Sequence, residues 1–320
     1  MSHISGLHHV TAIAGDPQEN LDFYLGVLGM RLVKRSVNQD VPDTYHLFFA
    51  DGEGHPGTDI TFFPWPNMGA KRDGIGLWNE IYLTVPAGTL PDWQEHLEKH
   101  GAEVDGPEER FGERALPFRD PHGLALALVE SDPHEEQGFT PWGESPVPAE
   151  RQIRGLGGAR MTVREADETI RFLTGGLGFE HQGYENGYER YIVGAGRGGQ
   201  RVDLREVPQG RRGAWGVGAV HHVAFRVPDH ATQMKVRAAI ASLGRNPTEV
   251  IDRFWFQSVY VLEPGGCLCE LATDGPGFSV DEKPEHLGET LVLPSRLERH
   301  REEIERSLPD LHMPVSPASE

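Results

Sequence analysis

The sequence predicts an α+β fold: four βαβββ modules in two tandem halves, each half curling a mixed sheet around a cavity. Three observations carry that expectation. A short β-like segment, Leu7–Ile13 (LHHVTAI), returns as Val220–Val227 (VHHVAFRV), with weaker copies at Trp78–Val85 (WNEIYLTV) and Leu156–Val163 (LGGARMTV). Each copy precedes a helix-like stretch that ends in glycine, the residue suited to a helix C-terminus. The register also holds without a gap, because His9 and Gly158 stand at the same 149-residue spacing as Gly29 and Gly178. A repeat of this kind is the first thing to establish, since missing it misreads the whole fold.

The elements follow in order. In the first module the strand Leu7–Ile13 leads to a helix over PQENLDFYLGVLGM and then to the strands MRLVKRSV, YHLFFAD and DITFFPW. Phe62, Phe63 and Trp65 of the last strand read as core aromatics. The second module places a helix over TLPDWQEHLEKHG and the strands ALPFRD and LALALVES, joined by Pro121-His122-Gly123. Residues 132–151, rich in Pro, Gly and acid, read as a linker. The third module has a helix over EADETIRFLTGGLGF, and its glycine-rich run Gly194–Gln200 turns a hairpin, lacking the Lys-Ser/Thr of a phosphate loop. The fourth has a helix over HATQMKVRAAIASLG and the strands FQSVYVLEP and CLCELAT, joined by Pro264-Gly265-Gly266. The expected domains are thus 5–131 and 152–274, each of two modules, followed by a tail over 275–320. In the tail, Ser295-x-x-Glu298 resembles a capping box opening a helix to about Ser307, and the last residues are expected to be loose.

Composition narrows the function. The chain has 320 residues, long enough for about two domains and a sizeable core. Its net charge of −19 opposes nucleic acid and anionic lipid as partners. No apolar run approaches the roughly 18 residues of a membrane helix. The start MSHISGLHHV has no basic segment leading into an apolar one, so a cytoplasmic protein is expected. Cys267 and Cys269 lie two apart on one strand face, where they cannot easily bridge, and read as small packing residues. Homo-oligomerisation is left open.

The repeat lets chemistry-bearing positions be compared within one chain. At the first-strand doublet the modules read His8-His9, Asn79-Glu80, Gly157-Gly158 and His221-His222. On the last strand they read Thr61, Ala127, Asp203 and Glu270. The ligand-capable set therefore gathers in modules one and four: His9, His222 and Glu270, with His8 and His221 beside them. Two histidines and a carboxylate make the facial triad of non-haem Fe(II) oxygenases, which leaves coordination positions open. The same donors suit Mn(II), and Zn(II) less distinctively. Neighbours on a strand face opposite ways, so the residues alone do not say which histidine of each doublet binds. Glu80 and Asp203 carry no histidine with them, and no metal is expected there. Since neither half holds a complete set, the first and fourth modules must meet across the linker.

The pattern resembles the vicinal oxygen chelate superfamily of glyoxalase I, bleomycin-resistance proteins and extradiol dioxygenases, over nearly the whole chain. The stretches GLHHVTAI, VHHVAFRVPD, DRFWFQSVYVLEPGG and CELATDGPGF are similar to its ring-cleaving branch of hydroquinone 1,2-dioxygenase and MhqO-type proteins. The resemblance implies His9, His222 and Glu270 as ligands of Fe(II). It implies a surrounding set of His8, Thr11, His221, Arg253 and Tyr260. It also implies dioxygen and a hydroquinone or catechol as substrates. Tyr260 precedes the Glu270 strand, so the two can meet across a hairpin. Its phenol could donate a proton, Arg253 could hold a phenolate, and His221 could act as acid–base. Two other readings stay open. One is a glyoxalase-like isomerase or thiol transferase, against which Thr61 stands where a fourth, carboxylate ligand is expected. The other is a binding or resistance protein without chemistry.

Overall fold

The computed structural model describes residues 4–131, 138–196 and 199–313. Part of the expected linker (132–137), part of the Gly194–Gln200 turn and the chain end expected to be loose (314–320) lie outside the described residues.

Module one consists of β1 (Leu7–Ala14), α1 (Pro17–Leu21), β2 (Arg31–Val37), β3 (Tyr45–Ala50) and β4 (Asp59–Pro64). Module two has β5 (Leu77–Pro86), α2 (Leu90–Lys99), the short β6 (Glu103–Val104) and β7 (Glu108–Arg110), then β8 (Glu113–Arg119) and β9 (Ala125–Ser131). Module three has β10 (Gly155–Val163), α3 (Asp167–Arg171), β11 (Glu180–Glu185), β12 (Tyr188–Ile192) and β13 (Arg201–Glu206). Module four has β14 (Val220–Val227), α4 (His230–Ser242), β15 (Ile251–Asp252), β16 (Gln257–Leu262) and β17 (Leu268–Thr273).

Local chemistry explains the helices. The Asp16 carboxylate caps α1 by accepting from the amides of Gln18 and Glu19, with Pro17 in the first turn. Asp229 caps α4 through the Thr232 amide. α1 and α3 both widen into a π turn, at Asp22–Val27 and Phe172–Gly176. Each then ends at a glycine with positive φ, Gly29 (69°) and Gly178 (79°), a conformation that costs other residues strain. Inward-facing Leu90, Trp93 and Leu97 anchor α2 to the core. Burying each such side chain is worth ~1.5–3 kcal/mol.

The sheets assign the modules differently from the chain order. One runs β15-β16-β17-β14-β1-β4-β3-β2, and the other β11-β12-β13-β10-β5-β9-β8-β6. The first strand of each module is that module's own edge, and two modules close by pairing these edges antiparallel, β1 with β14 and β5 with β10. Modules one and four therefore share a sheet, as do two and three. The expectation that each half curls its own sheet is corrected in this respect. The physical cause lies in the crossings between sheets. The segments after β4 and after β13 run side by side, bridged at Ala70–Val217, Arg72–Ala214 and Ile75–Arg212.

The tail lies along β2, where Ser36 Oγ donates to the Val292 carbonyl and the Val292 amide donates to the Arg35 carbonyl. Its helix α5 (Arg301–Ser307) ends where the sequence expects, but the capping box does not form. Glu298 instead receives two hydrogen bonds from Arg301 (2.9 and 2.7 Å), a pairing with a full cation that the backbone amides do not displace.

Candidate metal centre

At the seam of the first sheet, β1 carries His9, β14 carries His222 and β17 carries Glu270. Parallel pairing sets Glu270 beside Ala224, whose small side chain leaves open the space above the seam. One donor atom from each of His9, His222 and Glu270 lies within 4.8 Å of the others, and all three residues are buried. His9 Nε2 stands 3.3 Å from His222 Nε2 and 3.3 Å from Glu270 Oε2, and His222 Nε2 stands 2.9 Å from the same oxygen. Metal bonds of about 2.1 Å meeting at right angles separate their donors by about 3 Å, so these separations match one face of an octahedron.

The proton positions follow from the second histidine of each pair. His8 Nε2 lies 3.1 Å from the Thr273 carbonyl and must donate to it. His8 Nδ1 is therefore an acceptor, and His9 Nδ1, 3.0 Å away, donates to it. This leaves a lone pair on His9 Nε2, facing Glu270. The contact repeats between His221 Nδ1 and His222 Nδ1 at 2.8 Å. Glu270 Oε1 accepts from the Ser258 hydroxyl, while Oε2 is buried with no hydrogen-bond partner. A buried carboxylate oxygen left so, with imidazole nitrogens beside it, fits a divalent cation.

The electrostatics agree. Burial pushes the imidazoles of His8 and His222 below their ordinary range, and takes His221 down to about 3. Burial would raise the Glu270 carboxyl, but the imidazoles of His9 and His222 outweigh it and hold it well below the usual range. A divalent cation at this place would replace the imidazole protons as the counter-charge of the carboxylate, since histidine ligands bind metal in the deprotonated form.

A cleft opens on the triad at His9 and His222. Its walls include Phe48, Phe63, Trp255 and Phe256, with Tyr260 and Arg253 on the module-four side. Tyr260 faces Glu270 directly across the β16–β17 hairpin. Burial raises its phenol pKa, and Arg253 Nε donates to its oxygen at 3.3 Å. Thr11 and His221 stand elsewhere. Thr11 is fully buried and meets Thr61 Oγ1 at 2.7 Å. His221 is boxed by aromatics, stacked under Trp215 at 4.5 Å and edge-on to Phe63 at 5.6 Å, so it backs His222 and does not line the cleft. His8 likewise backs His9.

Sequence reasoning missed His46. It sits on β3, lines the cleft and reaches Thr61 Oγ1 through Nε2 at 2.9 Å. Burial holds its pKa well below that of an ordinary histidine, so its ring is neutral at neutral pH. The available signal was the repeat. Cross-strand register makes His46 the counterpart of Ser258, and each hydrogen-bonds the last-strand residue of its own module.

A model of the glyoxalase/bleomycin resistance protein/dioxygenase superfamily matches residues 6–128 and 155–271. MhqO of Bacillus subtilis (strain 168), provisionally named a ring-cleaving dioxygenase, is 45% identical over 303 residues, 95% of each chain. Chlorohydroquinone/hydroquinone 1,2-dioxygenase of Sphingobium indicum is 35% identical over 315 residues, covering 96% of this chain and 97% of that one. The crystal structure of a provisionally assigned dioxygenase from Bacillus subtilis superposes with a TM-score of 0.92 at 42% identity, covering 98% and 99% of the two chains. Glyoxalase I from Zea mays, at 15% identity and a TM-score of 0.63 over 84% of this chain and 92% of its own, shares the fold.

Proposed function

The chain belongs to the glyoxalase/bleomycin resistance protein/dioxygenase superfamily, and from that premise we propose that it is an Fe(II)-dependent, extradiol-type ring-cleaving dioxygenase acting on a hydroquinone or catechol. The observation that carries the reading is the convergence of His9, His222 and the orphaned Glu270 oxygen at the floor of an aromatic-walled cleft. His9, His222 and Glu270 would hold the ion, Fe(II) in preference to Mn(II). When bound, iron supplies Lewis acidity and a redox path between ring and dioxygen.

The protein's own groups do the remaining work. Phe48 and Trp255, packed edge to face against each other at 5.6 Å, form an apolar wall for the ring and help to exclude water from the cleft. Neutral His46, its ring fixed by Thr61, offers a hydrogen-bonding partner to a diol hydroxyl in the cleft. Tyr260, kept protonated, donates a hydrogen bond or proton to oxygen, and Arg253 orients it. His8 and His221 orient the ligand histidines through their Nδ1 atoms, as outer partners of metal ligands do.

An isomerase reading would draw a fourth protein ligand at residue 61, but Thr61 is engaged with Thr11 and His46. The deciding experiment is oxygen uptake by anaerobically Fe(II)-loaded protein across a panel of hydroquinones and catechols, with metal analysis of the protein as purified. Iron with diol-dependent uptake supports the proposal. Zinc or nickel with no uptake would favour an isomerase, and no metal a binding protein.

A further inference from the structure

We infer that Asp40 is a specificity-determining residue, which neutralises Arg253 at the mouth of the cleft and so selects uncharged aromatic diols over carboxylated ones. The inference rests on the ring-cleaving reading and narrows its substrate class.

Arg253 is the one lysine or arginine among the described residues that line the cleft. Left alone, its planar fork would be the natural partner of a ring carboxylate. It is not left alone, because Nη1 and Nη2 both donate to the Asp40 carboxylate, at 3.3 and 2.9 Å. The Arg253 side chain is 16% exposed and that of Asp40 68%, so the cation lies inside and the anion at the rim. The third donor, Nε, is committed to Tyr260.

Asp40 is held in that position. The Asn38 side chain accepts from the amides of Asp40 (2.9 Å) and Val41 (3.2 Å), which fixes the turn. Gln39 Nε2 donates to the Arg253 carbonyl at 2.8 Å, and Arg296 of the tail donates to Gln39 Oε1 at 2.9 Å. The segment between β2 and β3 is therefore tied to both the Arg253 backbone and the tail. A carboxylated ring entering the cleft meets a satisfied guanidinium and the like charge of Asp40. The net charge of −19 opposes the same ligand at longer range.

The test compares hydroquinone with 2,5-dihydroxybenzoate in the Fe(II)-loaded parent, D40N, R253Q and the double variant. D40N keeps the shape of the side chain and removes its charge. The parent is expected to favour hydroquinone strongly in kcat/KM. D40N should narrow that preference about tenfold, which corresponds to ~1.4 kcal/mol, mainly through the KM of the carboxylated diol. Adding R253Q should abolish the gain, because the freed cation is its source. An unchanged preference in D40N, or a gain that survives R253Q, overturns the inference. A second arm measures anaerobic binding of phenol and 3-hydroxybenzoate to the same four Fe(II)-loaded proteins by tryptophan fluorescence. If no diol is turned over, the ring-cleaving reading fails, and this arm alone decides: a D40N-specific gain for the benzoate upholds the selectivity, and its absence removes it.

Discussion

At the seam of the first sheet stand His9, His222 and Glu270, and at the matching places of the second stand Glu80, Gly158 and Asp203. The backbone solution is the same, but the charge is balanced by different means. In the first sheet the buried carboxylate faces imidazole nitrogens and lacks a hydrogen-bond partner on one oxygen. In the second, Arg190 binds Asp203 through two hydrogen bonds (2.7 and 3.0 Å), and Tyr82 donates to it at 2.7 Å. Arg110 grips Glu80 at 2.6 and 3.1 Å, and Arg160 lies between the two carboxylates. Arg160 stands beside Asp203 in register where Ala224 stands beside Glu270, so a guanidinium fills the space that the alanine leaves open. Nor could the second seam accept the missing histidine. A Cβ on Gly158 would come within 2.8 Å of the Arg201 carbonyl oxygen, at a φ of +154°. One fold thus offers two surroundings for a buried carboxylate: imidazole nitrogens with an open face, which suit a metal, or arginines, which fill the space.

The sharpest way to break this contrast is to remove the metal-side ligands. Glu270→Gln and His9→Ala should each lose most bound iron while the protein stays folded, as measured by metal analysis alongside circular dichroism. Stoichiometric iron in His9→Ala would return His9 to a structural role and confine the centre to module four.

Next in size is the opposite result at the second seam. Asp203→Asn should leave iron content unchanged yet destabilise the protein in urea, by less than the ~3–5 kcal/mol of a fully broken buried pair, because Arg190 keeps Glu113 as its remaining anion. Equal stability losses in Asp203→Asn and metal-free Glu270→Gln would mean that the seams do not differ as described.

Smaller effects should come from the walls of the cleft and from the histidine that backs His222. Tyr260→Phe, His221→Ala and His46→Ala should retain iron better than the ligand variants and turn over about 10–100-fold more slowly. Parent-like rates in all three, by oxygen uptake, would leave the ligands alone responsible for the chemistry.

Acid distinguishes the sheets most subtly. His8, His46, His221 and His222 have folded pKa values depressed below 6.5, so in the metal-free protein the unfolded chain binds more protons. Their stability contribution is complete above about pH 6.5 and is lost as pH falls from there toward the folded values. Asp203 is depressed below 3.8, so the second seam begins to weaken only below that. Acid titration of the metal-free protein should loosen the histidine seam first, read from the histidine ring resonances near pH 5.

How much was legible in the sequence follows from the repeat. Comparing four modules within one chain brought out His9, His222 and Glu270, and the need for modules one and four to meet. Tyr260 was reachable because a hairpin fixes which residue faces Glu270. The pairing of modules into sheets was not, since it depends on how the two crossing segments lie together. The arginines around Glu80 and Asp203 escaped notice because Arg110 and Arg190 come from strands that no motif marks. His46 escaped because a lone histidine in a hydrophobic strand carries no pattern, and only its reach to Thr61, from the place that Ser258 holds beside Glu270, gives it one.

The separation of the donors along the chain also has a bearing on synthesis. His9 is among the first residues made, and it waits for His222, 213 positions later, and then for Glu270. Until those have left the ribosome, a nascent chain presents one isolated imidazole pair and not the three-donor set. The long interval slows final closure, as contacts distant in sequence do. It also means that no chain shorter than 270 residues can bring all three donors together.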